Sequence, residues 1–299
     1  MKSLFTGICV ALVTPFRNNK IDYCGLNTLL QKCIAEKVDA IAILATTGEG
    51  STISSKDKTK VIKYCREKVP YYVKLIVGTG NNDFAKAYEE TLVAKKLGAD
   101  GVLVVTPYYN KTTQAGIVEY YKKLNEIELP IICYNVPSRT GLNIELPTLK
   151  NIIKQCPFVY GIKESTCDIV RITELIKICK NKIAVYSGED NLNFLFYVMG
   201  AQGSISVVAN AFCKEVKRVF ALTQKQETKK AFALQSSLQK IGKLLFLETN
   251  PTPIKSLLCD MGYITDEVRM PLITPSVRLK KQLSIESKKL LKKYRYEHQ

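Results

Sequence analysis

The chain has 299 residues, 46% of them hydrophobic, and a formal charge of +17 from 44 Lys and Arg against 27 Asp and Glu. That is enough apolar sequence for one large domain or two ordinary ones, yet no run approaches the roughly 20 apolar residues of a bilayer-spanning helix, so a soluble protein is expected. The only histidine is His298 and the ten cysteines form no CxxC pair, which excludes Ser-His-Asp and Cys-His catalysis, argues against zinc, and suits structural thiols in a reducing cytoplasm.

From the N-terminus, Met1-Lys2-Ser3 leads directly into a strand-like run at 7–13, so no signal peptide is expected. Seven more runs rich in Val and Ile follow, at 40–44, 73–77, 101–105, 130–134, 158–162, 182–186 and 203–208. Amphipathic stretches such as 23–37, 83–97 and 169–180 separate them and are long enough to be crossover helices. Gly98 and Gly161 stand where a helix exit and a strand start are expected. Eight βα repeats close a parallel barrel, so the expected fold is α/β, a (β/α)8 TIM barrel over residues 1–225.

After Asn210 the alternation stops. Segments 214–247, 252–261 and 277–294 read as helices and form a C-terminal helical extension over 226–299, interrupted by Asn250-Pro251-Thr252-Pro253. Residues 276–299 carry eight Lys and Arg against two Glu, with Leu279, Leu283, Leu290 and Tyr294 at helical spacing. An amphipathic helix with a solvated basic face is expected there. Binding of nucleic acid or another anionic surface, or steering of acidic substrates, is the alternative.

In a barrel of this kind the reacting groups sit where strands end, because the following loops converge on one face. The strand ends read Ala45-Thr46-Thr47-Gly48-Glu49-Gly50, Thr106-Pro107-Tyr108-Tyr109-Asn110, Tyr134-Asn135-Val136-Pro137-Ser138-Arg139-Thr140-Gly141, Lys163-Glu164-Ser165-Thr166 and Ser187-Gly188-Glu189-Asp190. Lys163 follows an apolar run, where burial disfavours an ammonium and makes the amine a nucleophile toward carbonyls; a lysine is otherwise an ordinary surface group. Tyr134 is either an aromatic capping the barrel or, with no histidine available, a proton carrier. Thr46 and Thr47 are either turn residues capping a helix or catalytic hydroxyls. Arg139 either pairs with a neighbouring acid or receives a substrate carboxylate bidentately. The loop aromatics Tyr108 and Tyr109 point to an interface or a site.

Together, Thr-Thr-Gly-Glu at 46–49, Pro-Tyr-Tyr at 107–109, Tyr-Asn-Val-Pro-Ser-Arg-Thr-Gly at 134–141 and Gly-Ile-Lys-Glu at 161–164 resemble, in residues, order and spacing, the dihydrodipicolinate synthase family. That family belongs with the pyruvate-dependent aldolases, which include N-acetylneuraminate lyase and the keto-deoxy-sugar aldolases. The resemblance spans the whole chain. It implies a lyase that condenses pyruvate with L-aspartate 4-semialdehyde to 4-hydroxy-tetrahydrodipicolinate, the first committed step of lysine biosynthesis through diaminopimelate, with no metal and no organic cofactor.

By the same resemblance Lys163 forms the Schiff base, Tyr134 donates and accepts protons, and Thr46 and Tyr109 complete a hydroxyl relay, Tyr109 from the neighbouring subunit. Thr47 and Ile205 would contact pyruvate. Arg139 would receive the semialdehyde carboxylate, which distinguishes this activity from the sister aldolases, the alternative assignment. A dimer is then the least catalytic unit, and a dimer of dimers the expected homo-oligomer. Two departures stand out. Ala45 replaces the family's usual Gly, a small change. Where lysine-inhibited members carry His and Glu at an interface site, this chain has Ser55, Lys58 and Lys86, with Asn82 and Tyr108 kept, which implies weak or absent inhibition by lysine.

Overall fold

The computed structural model describes residues 1–295. Its strands are β1 (Gly7–Ala11), β2 (Phe16–Arg17), β3 (Lys20–Ile21), β4 (Ala40–Ile43), β5 (Lys74–Gly78), β6 (Gly101–Val105), β7 (Ile131–Asn135), β8 (Val159–Glu164), β9 (Ala184–Ser187) and β10 (Gly203–Ser206). β1 and β4 to β10 close into a parallel barrel in sequence order, with β10 returning to β1. Each apolar run read from the sequence contains most of one barrel strand. The antiparallel ribbon β2–β3 is additional.

Between the strands lie α1 (Tyr23–Ala35), α2 (Ser55–Lys68), α3 (Phe84–Lys96), α4 (Gln114–Asn125), α5 (Pro137–Thr140), α6 (Leu146–Gln155), α7 (Ile169–Cys179) and α8 (Asn193–Val198); α9 (Ala209–Gln224) follows the last strand. Several crossover helices begin on a side-chain cap. Asp22, Ser54, Asp83, Thr113 and Asp168 each accept a hydrogen bond from a backbone N–H two or three residues on, an arrangement worth about 1 kcal/mol apiece. α3 ends at Gly98, whose φ of 78° lets the chain leave in the left-handed region.

The stretch expected as one helix over 214–247 is two, α9 and α10 (Thr228–Leu245), joined by a turn in which Gln226 has φ 61°. Both helices bury an apolar face in the same core, so the hydrophobic period runs on across the turn and periodicity alone hides it. The boundary expected at 225/226 falls in this turn. α11 (Thr252–Asp260) and α12 (Val277–Arg295) complete the chain.

Leu279, Leu283 and Leu290 of α12 are buried in the core that includes the barrel strands, each contributing about 2 kcal/mol by burial. On its polar face Lys280 pairs with Asp266 at 2.6 Å, and Lys289 and Lys240 converge on Glu286 at 3.0 and 2.8 Å. His298 and the side chain of Tyr294 lie outside the described residues. Among those described, no helix is long and apolar enough to cross a membrane.

Candidate active site

Lys163 is the penultimate residue of β8 and is 6% exposed. Side chains alternate across a strand, and Glu164 turns outward. Its carboxylate accepts from Arg171 of α7 at 2.9 Å and from the Asn135 amide at 3.0 Å. Lys163 is therefore turned into the barrel. Among the described residues its Nζ makes no hydrogen bond or ion pair, and it stands 4.1 Å from the centroid of the Tyr134 ring. The register of β7 on β8 makes these two residues Cα partners. Gly188, after β9, gives this lysine room: a Cβ on it would lie 2.8 Å from Lys163 Cε and 2.0 Å from Ser165 Oγ, and these side chains would have to shift.

A cavity of about 480 Å³ opens over this lysine, lined by Tyr134, Thr46, Thr47, Arg139 and Glu189 and, from the C-terminal extension, residues 246–250. A second compartment of about 310 Å³ shares Thr46, Tyr134, Arg139 and Asn250 and reaches Tyr108 and Lys58. Glu189 faces the first compartment. Burial raises its pKa above the usual glutamate value, with Asp190 adding to the shift and hydrogen bonds from Asn191 and the charge of Lys163 opposing it.

Thr46 and Thr47 form a single 3-10 turn ending at Glu49, whose φ is 51°. Both ends of the turn are tied to the extension. Thr47 Oγ1 accepts a hydrogen bond from Asn250 Nδ2 at 3.0 Å. The Glu49 carboxylate is buried against the Lys255 ammonium at 2.5 Å and accepts from the Arg269 N–H at 2.9 Å. The ring of Phe16 lies against both cations, 4.1 Å from Lys255 Nζ and 4.4 Å from Arg269 Cζ. Burial pushes Lys255 below its ordinary pKa, and Glu49 opposes that shift. Thr47 is buried whereas Thr46 is exposed, at the rim shared by the two compartments. Arg139, in α5, donates from Nη2 to the Asn250 carbonyl at 3.3 Å.

Lys163, Tyr134, Thr46, Thr47 and Arg139 thus converge on one cavity. Tyr109 does not join them within the chain. It is 92% exposed, with φ 69°, on the loop after β6, and lines neither compartment. Among the described residues no hydrogen bond joins Tyr134, Thr46 and Tyr109. Ile205 is fully buried on β10 as the Cα partner of Cys9, and Val207, two residues on, lines the 480 Å³ cavity. Asp190 fixes the Val207 backbone by accepting from the N–H groups of Val207 and Val208 at 2.8 and 2.9 Å.

Asn250 and Lys255 were not candidates on sequence. They meet the 46–49 turn across some 200 residues, and their only local signal is the break at Asn250-Pro251. The assembled site sets a guanidinium, threonine hydroxyls and a phenol around an amine that has no hydrogen bond or ion pair among the described residues, groups that can receive an anion and add to a carbonyl.

Residues 4–292 match the dihydrodipicolinate synthetase family. A 4-hydroxy-tetrahydrodipicolinate synthase of Clostridium tetani is 42% identical over 94% of this chain and 98% of its own. The crystal structure of a dihydrodipicolinate synthase from Thermotoga maritima superposes with a TM-score of 0.94 at 36% identity, covering 96% of this chain and 99% of that one. A chloride-inhibited dihydrodipicolinate synthase from Acinetobacter baumannii, solved in complex with pyruvate, superposes at 0.92 with 37% identity, over 95% and 98% of the two chains. With such coverage of barrel and extension alike, the chain belongs to the dihydrodipicolinate synthetase family.

Proposed function

We propose that the chain condenses pyruvate with L-aspartate 4-semialdehyde to 4-hydroxy-tetrahydrodipicolinate through a Schiff base on Lys163. The observation that carries this is the buried, unpartnered Lys163 amine in a cavity that also presents Tyr134, Thr47 and Arg139. The amine adds to C2 of pyruvate and water leaves, giving a protonated imine that acts as an electron sink. Loss of a methyl proton gives the enamine, whose terminal carbon bonds to the aldehyde carbon of the second substrate. That substrate's amine then attacks C2, closes the six-membered ring and releases Lys163.

In this reading Tyr134 takes and returns the protons, Thr47 holds the pyruvate carboxylate, and Arg139 receives the carboxylate of the semialdehyde. Ile205, on the last barrel strand, contacts pyruvate. Thr46 and Tyr109 extend the hydroxyl chain from Tyr134, since each hydroxyl both donates and accepts. Tyr109 serves the site of a neighbouring subunit, which its exposure on a loop away from its own cavity favours. A dimer is then the least active unit, and two dimers pair in the assembly. All ten cysteines are free thiols, which suits the cytoplasm. The barrel over 1–225 carries the chemistry, and from the extension that begins at 226 the residues 246–250 close one wall of the site.

Borohydride reduction with pyruvate, followed by peptide mass spectrometry, tests the central step, and absence of an adduct on Lys163 would overturn it. Supplying aldehydes of keto-sugar aldolases beside the semialdehyde tests the second substrate. The shared site is tested by mixing Lys163→Ala and Tyr109→Phe chains after dissociation. With random pairing into two-fold dimers, about a quarter of full activity returns if Tyr109 acts across the interface, and none if it acts within its own chain.

A further inference from the structure

The structure assigns Asn250 as a positioning residue that sets the direction of the Thr47 hydroxyl and ties it to Arg139; this rests on the reading of Thr47 and Arg139 as the groups that hold the two substrate carboxylates. Asn250 is 4% exposed and stands at the start of the 250–253 break in the C-terminal extension. Its side-chain amide donates to Thr47 Oγ1 at 3.0 Å, and its backbone carbonyl accepts from Arg139 at 3.3 Å. One residue therefore holds both anion-binding groups, which come from strand ends on different sides of the cavity.

A hydroxyl carries one donor hydrogen. With an acceptor lone pair of Thr47 Oγ1 taken by the Asn250 N–H, the Thr47 hydrogen is left for the cavity, where a carboxylate needs a donor. The opposite arrangement, Thr47 donating to Asn250, would present a lone pair to an incoming anion and repel it. Asn250 Oδ1 is buried, makes no hydrogen bond among the described residues, and belongs to a side chain that lines the cavity. The amide is thus committed to Thr47 through its nitrogen alone. The Arg139 contact uses the backbone carbonyl, so side-chain substitutions at 250 spare it.

The test is a double-mutant cycle on the full-length enzyme between Asn250→Ala and Thr47→Val, reading KM for each substrate, kcat and thermal midpoint. Each single variant is expected to raise KM for pyruvate about tenfold, the scale of a lost hydrogen bond to a charged group. KM for the semialdehyde should stay within about twofold, because backbone contacts persist. In the double variant the pyruvate KM should equal that of Thr47→Val alone. Asn250→Asp keeps the volume but offers Thr47 an acceptor, and should raise the pyruvate KM further than Asn250→Ala. It also keeps the test open if the alanine variant does not fold.

An unchanged pyruvate KM in Asn250→Ala and Asn250→Asp, with Thr47→Val impaired, overturns the role of Asn250 alone. Independent, multiplying effects in the double variant overturn it as well. No effect from Thr47→Val overturns the assignment of Thr47 and the inference with it. A merely structural Asn250 would lower the thermal midpoint and weaken both substrates together.

Discussion

Lys163 and Tyr134 are Cα partners on adjacent barrel strands, and the lysine nitrogen stands 4.1 Å from the centre of the tyrosine ring. The ring and the phenol hydroxyl can be separated experimentally. Tyr134→Phe keeps the aromatic wall over the amine and removes the proton carrier. The imine with pyruvate should still form and be trapped by borohydride. Turnover should fall by about 10² to 10⁴, the usual contribution of a positioned acid–base group. A turnover number within threefold of the parent would exclude the phenol from proton transfer.

The Glu49–Lys255 pair is fully buried, at 1% and 0% side-chain exposure. Lys255→Met strands the Glu49 carboxylate and should cost about 3–5 kcal/mol in denaturant unfolding. It should also slow catalysis, because the turn bearing Thr46 and Thr47 ends on Glu49. Replacing both members, as Glu49→Gln with Lys255→Met, should recover part of the lost stability, since no uncompensated charge remains. A double variant as unstable as the single one would contradict this account.

Glu189 gives a pH dependence with a defined sign. Its folded pKa lies above the ordinary value of 4.5 because burial disfavours the charged form. Between 4.5 and the raised value the folded state binds more protons than the unfolded state, so this group lowers stability as pH rises through that window. Glu189→Gln removes the effect. Urea midpoints measured from acid to neutral pH should show the variant gaining on the parent as pH rises. A gain that grows toward acid pH would reverse the sign and refute the assignment.

Lys58 is held by Glu90 at 2.6 Å and Lys86 stands 3.8 Å from Asp83, at the positions that the family resemblance compares with an inhibitor site. With Glu90 and Asp83 engaged by these lysines, neither acid is left free for a lysine ammonium. Steady-state rates should be unaffected by micromolar L-lysine, and inhibition in that range would show that this pairing does not exclude the ligand.

The sequence by itself determined the barrel, because strands buried on both faces must be apolar runs and crossover helices must be amphipathic, so both leave local periods. It also placed Lys163, Tyr134, Thr46, Thr47 and Arg139 at strand ends, and a parallel barrel brings strand ends to one face whatever the detailed packing. The turn at 225–227 was hidden because two helices packing on one core keep the same hydrophobic phase across it. Only the tertiary structure decided which polar groups meet. Asn250 and Lys255 hold the Thr46–Glu49 turn from a helical extension with no repeat of its own. A hydrogen bond or ion pair between residues some 200 apart leaves no period, spacing or composition in the chain, because its geometry exists only once the extension has closed over the barrel.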